Sequence, residues 1–597
     1  MAKKQILIIG GSAAGMRAAS RARRRDQEAQ ITALDRDSIV SYAACGIPFY
    51  LSGEAELKEL MSTPIGLERN ALFFKKIKNI DVQTRTLATK IDRENKLVEA
   101  TQLDTQKNLV YPYDLLVLAP GAIPIIPPIQ GIQAQGVYQC RTLDDSVSIM
   151  AGMTSSKKRK AVVIGGGMIN LEFLEPLMAN GFEVSLVEMK NHLLPSILDS
   201  DMSELIVERY LVQQGIRLYL EENVTLIKNH DGHVEMVVTD KRELPADLVI
   251  LAAGIRPNVQ LARDAGLTIG ALGGIEVNEF MQTSDPNIFA GGDCVETHDI
   301  LTGQKVLCPM GSVANKQGRV IGDNLTGGRT PFLGVLRTAV LKVFDFNIGR
   351  TGLGEEEAKR LGYEVEISIN PNIDKPHYMI TAKHFILKLI ADRKTRRLLG
   401  VQGVGTGDVV KRIDVSATAI TYGGTVDQLA DLDLGYAPPF SAAIDNIVET
   451  ANMMRNKLDG LAETIHPAKV KEKIARGDDL LMLDIRPDFE KKMEEDRIPA
   501  QYVEIPWIAR IPIWDLRERL NELDRNKEII VFCKGGVRTF EAYRCMKGAG
   551  FNKVKILDGS TDFWPDLFVY CQAMHQKRLS EIGKFSPETM EKESANV

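Results

Sequence analysis

Short apolar runs, glycine-rich turns and longer half-apolar stretches follow one another along this chain, the rhythm of strands alternating with helices. The run Gln5 to Ile9 reads as a buried parallel strand, and Gly10-Gly11-Ser12-Ala13-Ala14-Gly15 as a tight turn into a helix beginning near Met16. A second strand is expected over Gln30 to Leu34, ending at Asp35. The rhythm returns at Lys160 to Ile164: Gly165-Gly166-Gly167-Met168-Ile169-Asn170 makes the turn, Leu171 to Ala179 the helix, and Glu183 to Val187 a strand ending at Glu188. Residues 113–124, YDLLVLAPGAIP, add a strand with a glycine turn, and residues 398–420 alternate as a sheet does before turning helical. Residues 451–466 are polar and helix-prone, without a strand pattern, and read as a connector. Beyond them DDLLMLDIR (478–486) is a strand, and KEIIVFCKGGVR (527–538) is a strand entering a loop before the helix TFEAYRCMKGAGF.

The two glycine turns carry chemistry. In a dinucleotide fold the glycines let backbone approach a pyrophosphate, and the helix N-terminus offers oriented N–H groups. Gly10 and Gly15 fit, with Ser12 in place of the middle glycine, and Asp35 stands where a ribose hydroxyl would be accepted. In the second unit Gly165 and Gly167 fit, while Asn170 replaces the third glycine and is expected to loosen helix-to-strand packing. Glu188 would bond a free 2′-hydroxyl and repel a 2′-phosphate, favouring NADH, with Lys190 leaving NADPH open. Two units imply two dinucleotides.

Composition narrows the class. The 597 residues allow roughly four compact units. A net charge of −5 gives no global reason to expect nucleic acid or an anionic membrane, so a basic site must be local. No apolar stretch approaches the ~18 residues that span a bilayer, and the N-terminal glycines argue against a secretory leader. Seven cysteines form no CxxC pair, which speaks for a reducing, cytoplasmic setting, against a metal site, and for a reactive thiol.

Four motifs in order, the two glycine turns, APGAIP and TSDPNIFAGGDCVE (283–296), resemble the pyridine nucleotide–disulfide oxidoreductases over residues 1 to about 450. The resemblance implies an α/β chain with two Rossmann-like domains, an α+β dimerisation domain and a homodimer. It divides the sequence into an FAD domain (1–153 and 272–330), a nicotinamide-cofactor domain (154–271), a dimerisation domain (331–450), the connector (451–466), a further α/β domain (467–570) and a charged tail (571–597). FAD would be held by the first unit, with Asp293 on the ribityl chain. Arg36, Ser41, Gly121, Glu172 and Gly254 fall among the expected cofactor positions.

Residues 41–54, SYAACGIPFYLSGE, are similar to the single-cysteine branch of that family, which holds coenzyme A-disulfide reductase, NADH oxidase and peroxidase, and NADH-dependent persulfide reductase. Ser41, Cys45, Gly46, Pro48 and Phe49 meet its pattern. The resemblance makes Cys45 the redox cysteine, whose second sulfur or oxygen arrives with the substrate. It implicates Arg21, Arg23 and Arg24, of the cluster that also holds Arg17 and Arg25, in coenzyme A binding, and Lys75 and Lys76 are expected to add to the patch. Tyr436 and Tyr378 match tyrosines that the partner subunit would bring near the catalytic cysteine.

The loop Cys533-Lys534-Gly535-Gly536-Val537-Arg538 directs backbone N–H groups inward at a helix N-terminus, an arrangement that lowers a thiol pKa and holds an anion. It resembles the rhodanese loop, whose cysteine carries a persulfide; Cys533 and Arg538 take those places. Asp484 and Arg486 match the LDxR element of that family, for which a loop-bracing role and a functional one both stand open, and Gly559-Ser560 stands where two glycines are common. The expected activity is NAD(P)H-driven, FAD-dependent reduction of coenzyme A persulfide, polysulfide or coenzyme A disulfide, with Cys533 carrying sulfane sulfur. The alternatives are an oxidase or peroxidase cycling Cys45 through a sulfenic acid, and a redox-sensing sulfur-delivery module acting through a protein partner.

Overall fold

The computed structural model describes residues 3–490 and 505–583; residues 491–504 of the expected rhodanese domain, and the expected tail beyond 583, lie outside the described residues. The chain is mixed α/β and divides into two compact units. One runs to Ser196 and resumes from Tyr210 to Arg337; the other takes Ile197–Arg209 and the described residues from Thr338 onward.

The first unit holds two parallel five-stranded sheets. In one the order is Ile288–Ala290, Leu115–Leu118, β1 (Gln5–Ile9), β2 (Gln30–Leu34) and Asp81–Gln83. In the other it is Arg217–Leu220, Glu183–Glu188, Lys160–Ile164, Leu248–Leu251 and Val137–Tyr138. These strands are continuous apolar runs because helices cover both faces of a parallel sheet; Ile6, Leu7, Ile8 and Val162, Val163 are all buried. Register then does something specific. Ile9 pairs with Leu34, so Gly10 and Asp35 leave the sheet side by side, and Ile164 pairs with Val187, which sets Gly165 beside Glu188.

Both helices start earlier than their sequence suggests. α1 spans Ala13–Arg25 with Ser12 at its N-cap, and its counterpart spans Met168–Ala179 with Gly167 at the cap. Gly10 and Gly165 account for this: φ of +114° and +107° turns the chain within one residue, so no longer turn is needed.

The second unit opens with an antiparallel sheet in the order Ala339–Val343, Phe346–Gly352, Leu398–Gly405, His384–Asp392, Val365–Ile373, packed by the helices Val409–Thr421 and Asn446–Leu458. A parallel sheet follows, in the order Thr464–Ile465, Val554–Leu557, Glu528–Phe532, Leu480–Asp484, Ile508–Arg510. The stretch read as a connector is therefore not one. It is helix to Leu458, with Met454 buried, and then contributes the edge strand Thr464–Ile465. Its polar face hid the buried stripe from a reading by composition. The expected tail likewise begins inside a helix, Leu567–Gly583, with Cys571 buried.

A buried ionic cluster ties separate segments of this unit together. Lys388, on the strand His384–Asp392, is fully buried, 3.0 Å from Asp199, 2.8 Å from Asp201 and 2.8 Å from Glu355. His466 reaches Asp201 at 3.0 Å through Nε2, while its Nδ1 accepts from the Ala468 N–H and caps the helix Pro467–Arg476. Burial alone would push the Asp201 carboxyl up, yet Lys388 and His466 outweigh it and hold the group well below the usual range. Glu355 is likewise depressed, burial being overcome by Lys388.

Removing one partner of a buried ion pair is far costlier than the pair's net worth, about 3–5 kcal/mol. Lys388→Met should therefore lower the calorimetric transition of the full chain markedly, and an unshifted transition would contradict this account. Both carboxyls are depressed in the folded state, so their contribution is present above the unfolded value of about 4 and is lost as pH falls through the lower folded values. Wild type should lose stability on acidification in that window, and Lys388→Met should lose less.

Candidate active site

Each nucleotide turn is held by the acid that follows its second strand. The Gly11 N–H donates to Asp35, whose other oxygen accepts from the Asp37 N–H at 2.8 Å. The Gly166 N–H donates to Glu188, which also accepts from the Lys190 N–H at 2.7 Å. Gly15 must lack a side chain, since a Cβ there would come 2.0 Å from the Gly10 carbonyl oxygen. Asn170 does the opposite of loosening its helix. It is fully buried, and its Nδ2 donates to the carbonyls of Ile164 at 2.7 Å, Gly165 at 2.8 Å and Ala252 at 3.3 Å, tying helix to strands.

A cavity of about 390 Å³ opens over the first turn. Gly10, Ser12, Asp35, Arg36, Gly121 and Asp293, all expected cofactor positions, line it together. Burial pushes the Asp293 carboxyl up and Arg141, across the cavity, pulls it back. Arg141 was not foreseen, because it sits outside any glycine motif. The cavity offers helix N–H groups and an arginine for phosphates and carboxylates for hydroxyls, which fits a flavin dinucleotide. Gly254, at φ +106°, sits against Ile125 rather than among the lining residues.

A second cavity, about 290 Å³, shares Ser12, Ala13 and Tyr42 with the first, and Ser41 also lines it. The segment that forms its wall leads directly to Cys45, which is exposed in a single 3₁₀ turn, Ala44–Gly46, that runs into α2 (Ile47–Ser52). Ser41 turns the chain there with φ +55° and donates its N–H to the Gly11 carbonyl at 2.8 Å.

The cations of this cavity are Arg17, Arg24, Arg69 and Lys78. Only Arg24 belongs to the set the resemblance implicated. Arg23 is buried and donates to the carbonyls of Asp26, Gln27, Ala29 and Asn79. Arg21 is paired with Asp323 at 2.6 Å. Lys75 lies 3.8 Å from Asp81, and neither it nor Lys76 lines the cavity. Helical phase explains which residues line the cavity. On the helix Ala71–Lys78, Phe74 is buried, and Lys78, four residues on, shares its face. On α1, Arg17, Ser20 and Arg24 line the cavity at spacings of one face. Lys78 is depressed by burial first and then by Arg24, Arg17 and Arg69. Four cations thus repel one another around a polar hollow.

Glu172, on the helix Met168–Ala179 that packs against α2, is pushed up to about 7 by burial. In the second unit Tyr378 and Tyr436 are exposed and hydrogen-bonded to one another. Beneath the Tyr436 loop, Asp445 accepts from buried Arg412 at 2.8 Å and from the Ser441 hydroxyl at 2.8 Å.

The Cys533 loop forms a sulfur cradle. Cys533 is 1% exposed, and its Sγ accepts from the Gly536 N–H at 3.1 Å. Gly536, at φ +105°, caps the helix Val537–Gly548. The Arg538 guanidinium is raised by its bond to Glu490, against burial, with Cys533 adding a hydrogen bond of its own. Glu490, 3.0 Å from Arg538 and missed by the sequence reading, has no neighbour in sequence that signals it. Asp484 and Arg486 brace each other at 2.9 Å, and the Arg486 guanidinium lies 5.0 Å from the Phe568 ring.

Residues 4–318 match the pyridine nucleotide-disulphide oxidoreductase family, residues 338–448 its dimerisation domain, and residues 466–566 the rhodanese-like domain. The chain is 38% identical over 453 residues to the NAD(P)H sulfur oxidoreductase (CoA-dependent) of Pyrococcus abyssi, covering 76% of this chain and 98% of that protein. Among solved structures it is similar to an NAD-dependent persulfide reductase from A. fulgidus, 44% identical with a TM-score of 0.88, over 94% of this chain and 100% of that one. It is also similar to the reduced Bacillus anthracis CoADR-RHD, 33% identical with a TM-score of 0.87, over 96% and 99%. Two glycine turns, a lone cysteine and a thiol loop of rhodanese form thus fall where the matches fall: the chain belongs to the pyridine nucleotide-disulphide oxidoreductases, joined to a rhodanese-like domain.

Proposed function

We propose that this chain is an FAD-dependent NAD(P)H reductase of coenzyme A-linked persulfides, polysulfides or disulfides, working as a cytoplasmic homodimer. The observation that carries the reading is the basic cavity: four cations with unfavourable mutual charge, sharing a wall with the dinucleotide cavity and with the segment leading to Cys45. Such a hollow is built for a polyanion, and the phosphorylated ADP of coenzyme A supplies one with a thiol arm attached. The sulfur oxidoreductase and persulfide reductase relatives carry names consistent with this. Free thiols at all seven cysteines suit a reducing compartment.

FAD, held over the first turn, would relay two electrons from the nicotinamide to sulfur. NADH is favoured because Glu188 would meet a 2′-phosphate with like charge. Cys45, as thiolate, attacks the outer sulfur of R–S–SH, so that the substrate S–S bond breaks, R–S⁻ leaves and a persulfide forms on Cys45. Two electrons and one proton then return Cys45 to the thiolate and release hydrogen sulfide. With a coenzyme A disulfide the same attack gives a Cys45 mixed disulfide, cleaved by two electrons to two thiolates. Tyr378 and Tyr436 of a partner protomer would stabilise the leaving thiolate by hydrogen bonding. Cys533 would take or give one sulfane sulfur. That role, for which an oxidase has no use, favours sulfur over oxygen.

Under anaerobic conditions with coenzyme A persulfide, Cys45→Ser should abolish NADH oxidation, whereas Cys533→Ser should spare it and lose sulfur transfer. Full turnover by Cys45→Ser would sink the mechanism. Lys78→Ala and Arg69→Ala should each raise KM for the coenzyme A substrate by about 10–100-fold, the worth of a charged hydrogen bond, and leave flavin reduction by NADH intact. Equal KM values would remove the basic cavity from the reading. Glu172 changes charge near pH 7, being neutral below and ionised above. Glu172→Gln should therefore erase an inflection near that pH in stopped-flow flavin reduction and keep the low-pH rate; a persisting inflection would assign it elsewhere.

A further inference from the structure

Ser560 follows Gly559, just beyond the strand Val554–Leu557, and is held in a conformation that serine rarely takes. Its φ is +51°, where a side chain is strained, and it is fully buried. The paired glycines common at this place would adopt that turn without strain, so the side chain is retained against a local cost. Its hydroxyl has two contacts. The oxygen accepts from the Cys533 N–H at 3.2 Å, and the same oxygen lies 4.0 Å from the Cys533 Sγ. With a lone pair engaged by the backbone, the proton is left over, and among the described residues the sulfur is its only acceptor.

We propose that Ser560 donates this hydrogen bond to the reacting sulfur on Cys533, as the third donor of the cradle. The inference rests on the reading of Cys533 as a sulfane-sulfur carrier. The other two donors, the Gly536 N–H and the Arg538 guanidinium, come from the loop and its helix. Ser560 comes from a different strand connection, so it closes the sulfur in from another side. In transfer, the Cys533 thiolate attacks the outer sulfur of R–S–SH; that S–S bond breaks, a new one forms, R–S⁻ leaves and no electrons are gained or lost. The incoming sulfur sits one bond, about 2.0 Å, beyond Sγ, and a hydroxyl 4.0 Å from Sγ stays within reach of either atom. The charged groups around the loop are Lys534 and Arg538 in it, Glu490 on Arg538, Asp562 near Gly535, and Asp558 just before Gly559. None is altered by changing Ser560.

Ser560→Gly separates this role from a bracing one, because glycine relaxes the φ strain while deleting the hydroxyl; Ser560→Ala is the second variant. Cys533 alkylation by iodoacetamide is followed across pH in the full chain by peptide mass spectrometry, alongside sulfur uptake from glutathione persulfide. Ser560→Gly should melt no lower than wild type, yet alkylate about tenfold more slowly below the thiol's titration, its midpoint raised by about one unit, and take up sulfur correspondingly more slowly. Ser560→Ala should show the same displaced profile. Variants that take up sulfur with wild type's pH profile would overturn this inference alone. A wild-type Cys533 that titrates as an ordinary thiol and takes no sulfur from the persulfide would overturn the carrier reading and this one with it.

Discussion

Everything chemical in this chain hangs on one constraint: a buried parallel strand must turn into a helix within a few residues and leave the helix's first N–H groups facing something negative. Glycine at φ of +105° to +114° makes the turn three times, at Gly10, Gly165 and Gly536. In the first two, an acid from the neighbouring strand, Asp35 or Glu188, accepts the turn's own N–H and fixes the loop before any nucleotide arrives. In the third no acid is supplied. The N–H of Gly536 falls instead on the Cys533 sulfur at 3.1 Å. In the proposed reading the same local device would meet phosphate in the first two places and sulfur in the third.

That device is legible in sequence because strand, glycine and acid are consecutive or separated by one helix. β1, β2, the strand Lys160–Ile164 and the Cys533 loop follow directly from it. What escaped depends on side-chain phase and on distant contacts. Arg23 and Arg24 are adjacent and alike on paper, yet one is spent on four backbone carbonyls and the other faces a cavity. Asn170 as a missing glycine suggested slack, whereas its amide replaces that close packing with three hydrogen bonds. Glu490 and Arg141 act across the fold, where no spacing rule applies.

Charge is sorted by whether it is already satisfied. Lys388 meets three carboxylates and His466 shares one of them, so that cluster is closed and structural. Arg412 and Asp445 likewise close on each other under the Tyr436 loop. Lys78 meets the Ser20 hydroxyl at 3.0 Å and the Phe74 ring, while the charges that act on it, Arg24, Arg17 and Arg69, are all of its own sign. A site is recognised here less by its charge than by the incompleteness of its pairing.

The two thiols differ in the way their tasks require. Cys45 is exposed, a few residues beyond Ser41 and Tyr42 in the wall of the basic cavity. Cys533 is almost wholly enclosed, with the Gly536 N–H and the Ser560 hydroxyl against its sulfur. An exposed thiol would in the proposed reading draw its second partner from the substrate. An enclosed thiol would in that reading hold a small anion but must have it delivered. Exposure and enclosure thus match the division of labour proposed for them, with Cys45 breaking bonds on large carriers and Cys533 holding the single atom that such a break sets free.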